Sequence, residues 1–227
     1  GTEESPRIDF DVDVKKVRDV YIVLKYFEFK IANSIIAIET GVVENDNTLF
    51  KWDETPRALA IWEQDLTLRQ AFHFSCVPCY QDVARRIGTE RMNDWLNKLE
   101  YGSMQVDSTN IDMFWLEGDS EISPLQQIDF LKRFHEEKLP ISSRTQSTMK
   151  RMMVIENNEE YKLSGKTGWS TFKENNNGWF VGYVEKKSGA YFFATNVEPK
   201  GKLNRDVFIK ARKELVYKAL KQMKIIR

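Results

Sequence analysis

Between Ile8 and Val14 apolar and acidic residues alternate, with Ile8, Phe10, Val12 and Val14 set against Asp9, Asp11 and Asp13. A period of two marks a half-buried strand. The more apolar run from Val20 to Phe29 predicts a second strand, so residues 1–29 are expected to form a hairpin or edge pair of strands. The period then lengthens. Ile31, Ile35 and Ile38 recur at helical spacing, and Gly41 stands where a left-handed helix cap belongs, which predicts a buried helix.

Residues from about 42 to 155 read as mostly helical. Leu66 to Phe74 leads into Tyr80 to Ile87, and beyond Gly88 a helix capped by Thr89 is expected to turn Met92, Trp95, Leu96 and Leu99 inward. Ser123, Pro124 and Gln126 spell a capping box with proline at the first helical position. The helix it opens aligns Leu125, Ile128, Leu131 and Phe134 on one face, an arrangement read as scaffolding. After about residue 160 the pattern turns to strands: Tyr161 to Gly165, Gly178 to Glu185 and Ala190 to Val197, with Lys187, Ser188 and Gly189 for a turn. The last two strands are apolar on both faces, as central strands covered by helices on each side would be. A closing amphipathic helix over Asp206 to Lys221 completes an α+β chain with a largely antiparallel central sheet, helices on both faces and a helical subdomain.

Composition narrows the partners. Thirty-four basic residues balance 34 acidic ones, so no net field draws in nucleic acid or an anionic membrane, and a small molecule is the expected partner. No apolar run approaches the roughly 20 residues that span a bilayer. A charged start followed by an apolar stretch and a small-residue cleavage site is absent, so a signal peptide has been removed or was never there. At 227 residues one domain with a substantial core is expected. Cys76 and Cys79 form a C-x-x-C around Pro78. With only His73 and His135 as further soft ligands a metal site is not expected, and the two cysteines read as small apolar fillers on a helix rather than a redox pair.

Lys166-Thr167-Gly168 presents an ammonium, a hydroxyl and a backbone without a side chain at the end of the Tyr161 strand, an edge suited to gripping a carboxylate. Three fragments accompany it: Ser75-Cys76-Val77 at a helix start, Tyr101-Gly102-Ser103 in a loop, and Phe114-Trp115-Leu116-Glu117-Gly118. In this order and at these spacings they resemble the Ser-x-Val, Tyr-Gly-Asn, tryptophan-loop and Lys-Thr-Gly elements of the class D (OXA-type) serine β-lactamases. Phe50-Lys51-Trp52-Asp53, Val77-Pro78-Cys79-Tyr80-Gln81 and the stretch Gly178 to Glu185 agree, so the resemblance runs from about residue 29 to 227.

The resemblance implies a β-lactamase/transpeptidase-like domain that hydrolyses the β-lactam amide through a serine acyl-enzyme, with a role in antibiotic resistance and a periplasmic or secreted location. It makes Lys30 the lysine carboxylated by carbon dioxide as general base, in a dry pocket formed with Phe29, Val77, Trp115 and Leu116, the Trp115 indole N–H bonding the carbamate. It makes Ser75 the proton shuttle and the Trp169 backbone N–H half of the oxyanion hole. Val77, Tyr101, Lys166, Thr167, Gly168 and Arg212 become substrate-binding residues, Arg212 pairing with the substrate carboxylate. No cofactor beyond the carbon dioxide is implied, and a monomer or homodimer is expected.

One departure dominates. The family motif Ser-x-x-Lys reads here Phe27-Glu28-Phe29-Lys30, and a benzyl group has no nucleophile. A literal Ser-x-x-Lys at Ser147 to Lys150 falls in a polar helical stretch outside the family order. Ser103 replaces the usual asparagine, a change expected to loosen local hydrogen bonding, and residues 1–26 do not match the family's opening strands. Two readings stand: a class D hydrolase with little or no turnover, or a non-hydrolytic penicillin-binding module or inactive scaffold. A third, an interaction domain using an N-terminal strand edge, has no specific residue behind it.

Overall fold

The computed structural model describes residues 24, 25, 28–117, 119–172, 175–199 and 204–227. The expected strand over Ile8 to Val14 lies outside them, as does Phe27. Of the second expected strand, Leu24–Lys25 (β1) pairs antiparallel with Glu121–Ile122 (β4), whereas Phe29 is already the N-cap of a helix.

That helix, α1 (Lys30–Glu39), is buried on every side, Ile31, Ala32, Ile35, Ile36, Ala37 and Ile38 each at most 1% exposed, and Gly41 follows it at φ +70. Leu49–Phe50 (β2) pairs with Leu66–Thr67 (β3), so the helix expected from Leu66 begins only at Leu68. The cause is local: the Thr67 hydroxyl accepts from the Gln70 N–H while the Gln70 side chain accepts from the Thr67 N–H, and this capping box sets the start of α2 (Leu68–His73). Helices α3 (Val77–Ile87) and α4 (Thr89–Leu99) meet at Gly88, which at φ +80 is the N-cap of α4; Thr89 is its first residue and makes no side-chain cap. Met92, Leu96 and Leu99 point inward as expected, but Trp95 is half-buried beneath the Lys98 amine, 4.8 Å from the ring centre.

The Ser123 capping box opens α5 (Pro124–His135) as expected. Its buried face, however, is Gln127, Phe130, Leu131 and Phe134, and Leu125 is 55% exposed. The helix is turned because Gln127 has polar partners inside, described below. Helix α6 (Ser143–Met152) carries the literal Ser-x-x-Lys on its surface, where Ser147 bonds its own helix and Lys150 pairs with Glu137.

Four antiparallel strands follow in the order β5 (Val154–Asn157), β6 (Lys162–Phe172), β7 (Asn175–Lys186) and β8 (Gly189–Val197), with a two-residue turn between the last pair. Along β7 the side chains alternate. Trp179, Val181 and Tyr183 face the main core shared with α1 and α5, while Phe180 and Val184 face α7 (Arg205–Gln222), where Val216 and Leu220 cover them. Each such burial is worth about 1.5–3 kcal/mol, which is why both faces of β7 are apolar. Strand β8 is also covered by α5 and α7 and, among the described residues, has β7 as its strand neighbour.

Strand β6 runs straight through Lys166-Thr167-Gly168, which therefore lie mid-strand and not at its end. Lys166 and Gly168 are buried there, and Thr167 is partly exposed. Strand β5 pairs only with Lys162 to Ser164, and the Gly165 N–H donates one further bond to the Met153 carbonyl. From Lys166 onward that edge of β6 turns to α1 and the α2–α3 junction instead of another strand.

Candidate active site

Lys30 occupies the first helical position of α1, where backbone N–H groups have no intrahelical acceptor. The Glu28 carboxylate supplies one, Oε1 accepting from the Lys30 N–H at 2.7 Å, an anion placed where a helix start favours it. Glu28 is held at its other end too. Its carbonyl accepts from the Tyr101 hydroxyl at 2.7 Å and from Gln127 Nε2 at 3.3 Å, and Gln127 also donates to the Tyr101 oxygen at 2.8 Å. Tyr101 is thus a fully buried post under the start of α1, not part of the cleft wall as its motif implies. Burial raises its phenol strongly, so it stays a donor.

Glu28 is 1% exposed, and its Oε2 has no hydrogen-bond partner among the described residues. It packs against β6 at Gly168, where an added Cβ would come within 3.1 Å of Oε2 and 3.2 Å of the Glu28 Cβ. A side chain on the glycine of Lys-Thr-Gly would press on Glu28. No local rule pointed to Glu28; its signal is an acid inside the apolar frame Phe27 to Phe29, two residues before a helix start.

Opposite, Ser75 sits at the bend between α2 and α3 at φ +53, a conformation uncommon for a residue with a side chain. Two backbone bonds hold it, Ser75 N–H to the Phe72 carbonyl and Cys76 N–H to the Ala71 carbonyl. Cys76 caps α3 and is joined by a disulfide to Cys79, which corrects the reading of the pair as free apolar fillers. An extended cap followed by the first helical turn brings the two Cα atoms to 5.4 Å, within disulfide reach.

Lys166 links the two sides. Its amine lies 2.5 Å from Ser75 Oγ and 2.7 Å from its neighbour's carbonyl, that of Thr167, and is 4% exposed. Burial lowers its pKa from 10.5 to about 7; Glu28 opposes the shift, and Lys30, Arg212 and Lys213 add to it. From α7, Arg212 donates to the Gly168 carbonyl at 2.6 Å, while its buried Nε has no partner among the described residues. Burial lowers Arg212 as well, but a guanidinium remains charged at any ordinary pH.

These groups border a cleft of about 470 Å³ lined by Lys30, Ser75, Val77, Thr167, Trp169 and Arg212. Residues not anticipated from the sequence complete it, notably Trp62, His73, Phe74 and Arg205. Trp62 donates its indole N–H to the Phe74 carbonyl and stiffens the wall beside Ser75; Arg205 stacks 5.0 Å over the Trp169 ring. Burial, then the charges of Lys166, Arg69 and Lys213, lower the pKa of His73. Trp115 is 1% exposed, its ring 5.5 Å from that of Phe29, and does not line the cleft. Ser103 pairs through its backbone with Glu121 in both directions, so the loop is tied without an asparagine side chain.

The arrangement has close counterparts. Residues 29–221 match the model of the penicillin binding protein transpeptidase domain. Beta-lactamase OXA-48 of Klebsiella pneumoniae is 38% identical over 223 residues, 98% of this chain and 82% of that protein. The chain belongs to the class D β-lactamases. Beta-lactamase OXA-10 of Pseudomonas aeruginosa is 46% identical over 173 residues, 75% of this chain, and the match spans 65% of that relative's length. Among solved structures, the class D β-lactamase YbXI from Nostoc superposes with a TM-score of 0.82 at 44% identity, covering 86% of this chain and 81% of the other. FUS-1 (OXA-85) from Fusobacterium nucleatum subsp. polymorphum gives 0.82 at 36% identity, covering 88% and 81%. The α+β architecture read from the sequence is therefore the class D fold.

Proposed function

We propose that the cleft binds β-lactams in the class D manner and that the chain as it stands hydrolyses them at or near background. The observation that carries this reading is the convergence of Lys30, Ser75, Thr167 and Arg212 on one cleft, with the Lys166 amine on Ser75 Oγ. Arg212 and Thr167 orient the substrate carboxylate, and the Trp169 N–H serves the developing oxyanion. Val77 closes the apolar side. Tyr101 acts through Glu28 and the start of α1 and makes no direct contact with substrate.

Lys30 is the residue for carbon dioxide. It is 6% exposed, with its amine 5.9 Å over the Tyr80 ring, an environment dry enough to suit carboxylation. A carbamate there would supply a general base, and the Trp115 indole N–H is the donor this reading assigns to it. What the chain lacks is the group for that base to activate, because position 27 offers a phenyl ring. Without it the domain acts as a penicillin-binding module built on an enzyme's cleft. The Cys76–Cys79 disulfide supports an oxidising, extracytoplasmic location, and among the described residues no helix is long and apolar enough to cross a membrane.

A chromogenic cephalosporin tests the reading: turnover indistinguishable from buffer is expected, and steady hydrolysis abolished by Lys30→Ala overturns it. Phe27→Ser is expected to yield an acyl adduct on residue 27 by peptide mapping and measurable turnover. A Phe27→Ser protein that folds, binds penicillin and gains neither would overturn the assignment of Lys30 as base.

A further inference from the structure

We propose that Ser75 is itself an acylation site: a β-lactam in the cleft is opened by the Ser75 hydroxyl, with the Lys166 amine as base, leaving an ester on Ser75. The inference rests on the reading that the cleft binds β-lactams, and adds a covalent step on a residue outside the Ser-x-x-Lys frame.

The geometry is that of a serine and lysine in contact. Ser75 Oγ and Lys166 Nζ are 2.5 Å apart, and Ser75 lines the cleft while Lys166 is buried behind it. Thr167 also lines the cleft, but it is Ser75 Oγ on which the amine sits. The serine is held still: its positive φ, the two backbone bonds of the α2–α3 bend and the disulfide at the next residue leave it little freedom. A fixed nucleophile beside a fixed base is the requirement for activating a hydroxyl.

In the protonated state Lys166 donates to Ser75. Once the ammonium loses its proton the direction reverses, and the free amine accepts from the hydroxyl. Burial makes that form accessible near neutrality, since the lysine's pKa is lowered to about 7. The charged groups facing it are Glu28 from the start of α1, which favours the ammonium, and uncarboxylated Lys30, Arg212 and Lys213, which favour the amine; the Ser75 step is one of the state in which Lys30 carries no carbamate. The step balances within the site. Oγ bonds to the lactam carbonyl carbon as its proton passes to Nζ, the ring C–N bond breaks, and the Lys166 ammonium returns the proton to the departing nitrogen. No other reactant is needed, and the adduct carries the full mass of the antibiotic.

The test incubates the full chain with a fluorescent penicillin between pH 6 and 9, then measures intact mass after denaturation and maps the labelled peptide. Binding is followed separately by ligand-induced thermal stabilisation. One adduct is expected, on the peptide containing Ser75, forming faster as pH rises through about 7 or above. Ser75→Ala is expected to bind without labelling. Lys166→Arg, which keeps the charge but cannot serve as base, is expected to slow labelling about 100-fold or more. Binding without an adduct, or an adduct on Thr167, Lys30 or Lys166, overturns the inference while leaving the binding reading intact. Absence of binding overturns both. Should Ser75→Ala not fold, the mapped site and the Lys166→Arg rate decide.

Discussion

Replacing Lys166 by methionine isolates the cost of burying an amine. The side chain is 4% exposed, and burial lowers its pKa from the ordinary 10.5 to about 7. In the unfolded chain the amine is protonated below about 10.5; in the folded chain it is protonated only below about 7. Between those values the unfolded state binds more protons, so the lysine lowers stability by an amount that grows as pH falls from 10.5 and levels off near 7. At about 1.4 kcal/mol per pH unit, the penalty near pH 7 exceeds that at pH 9.5 by about 3 kcal/mol. Methionine fills a similar volume and carries no charge, so it removes this pH-dependent part. It also removes the bonds to Ser75 and the Thr167 carbonyl, a loss that does not vary with pH in this range. Urea unfolding of both proteins at several pH values between 7 and 9.5 measures the difference directly. The advantage of Lys166→Met over the natural chain should shrink by about 3 kcal/mol as pH rises across that range. A difference that stays flat means Lys166 is charged when folded, and a difference that widens reverses the sign of the argument.

Three other outcomes follow from the same geometry. Reducing Cys76–Cys79, whose closed loop is very short, should cost only about 2 kcal/mol, a fall of about 4–8 °C in Tm; a Cys76→Ser/Cys79→Ser protein should not respond to dithiothreitol, and an equal shift in both would refute the link. Tyr101→Phe strips a buried donor from the Glu28 carbonyl and an acceptor from Gln127, which should cost about 1–3 kcal/mol in urea unfolding. Gly178→Ala would put a methyl 2.7 Å from both the Arg212 Cδ and the Phe208 Cζ, moving the guanidinium off the Gly168 carbonyl. Penicillin affinity should drop about tenfold or more, and unchanged affinity would separate Arg212 from binding.

What the sequence displays and what it conceals divide along physical lines. The helix at Lys30, the Ser123 cap, strands β6 to β8 and the closing helix follow from periodicity and local capping chemistry, which reside in neighbouring residues. Lys166 and Ser75 stand in short ordered motifs and Arg212 follows from the resemblance, and the fold brings Ser75 onto Lys166 and Arg212 into the same cleft. The errors lie where distant partners decide. Helix α5 turns Gln127 inward and Leu125 outward because an amide is needed at the Tyr101 hydroxyl and the Glu28 carbonyl, 26 and 99 residues away in the chain. Periodicity scores Gln127 as polar and therefore external. The Cys pair was legible in principle, since a cap residue and the third helical residue approach closely, but composition alone did not show that Cys76 would be the cap. Glu28 had no motif, although it touches the glycine of one.

The charge balance of the cleft assigns different work to its two buried cations on β6 and α7. Lys30, Lys166 and Arg212 converge where Glu28 is a buried carboxylate facing them, and burial first, with the neighbouring cations adding to it while Lys30 is uncarboxylated, lets Lys166 lose a proton near pH 7. An anionic ligand reverses that loss. A carboxylate placed against Lys166 would favour the ammonium, so binding there would take up a proton, and the amine would no longer accept one from Ser75. The same lysine cannot hold the substrate carboxylate and act as base in one pose. Arg212, charged at any ordinary pH and with an Nε that has no partner among the described residues, is free of that conflict. A productive pose therefore puts the carboxylate on Arg212 and leaves Lys166 with Ser75, whereas a pose centred on Lys166 binds without reacting. Titration calorimetry in two buffers of different ionisation enthalpy distinguishes them. Proton uptake near pH 7 that persists in Arg212→Ala marks the unreactive pose, and uptake close to zero in the natural chain marks the one that can acylate Ser75.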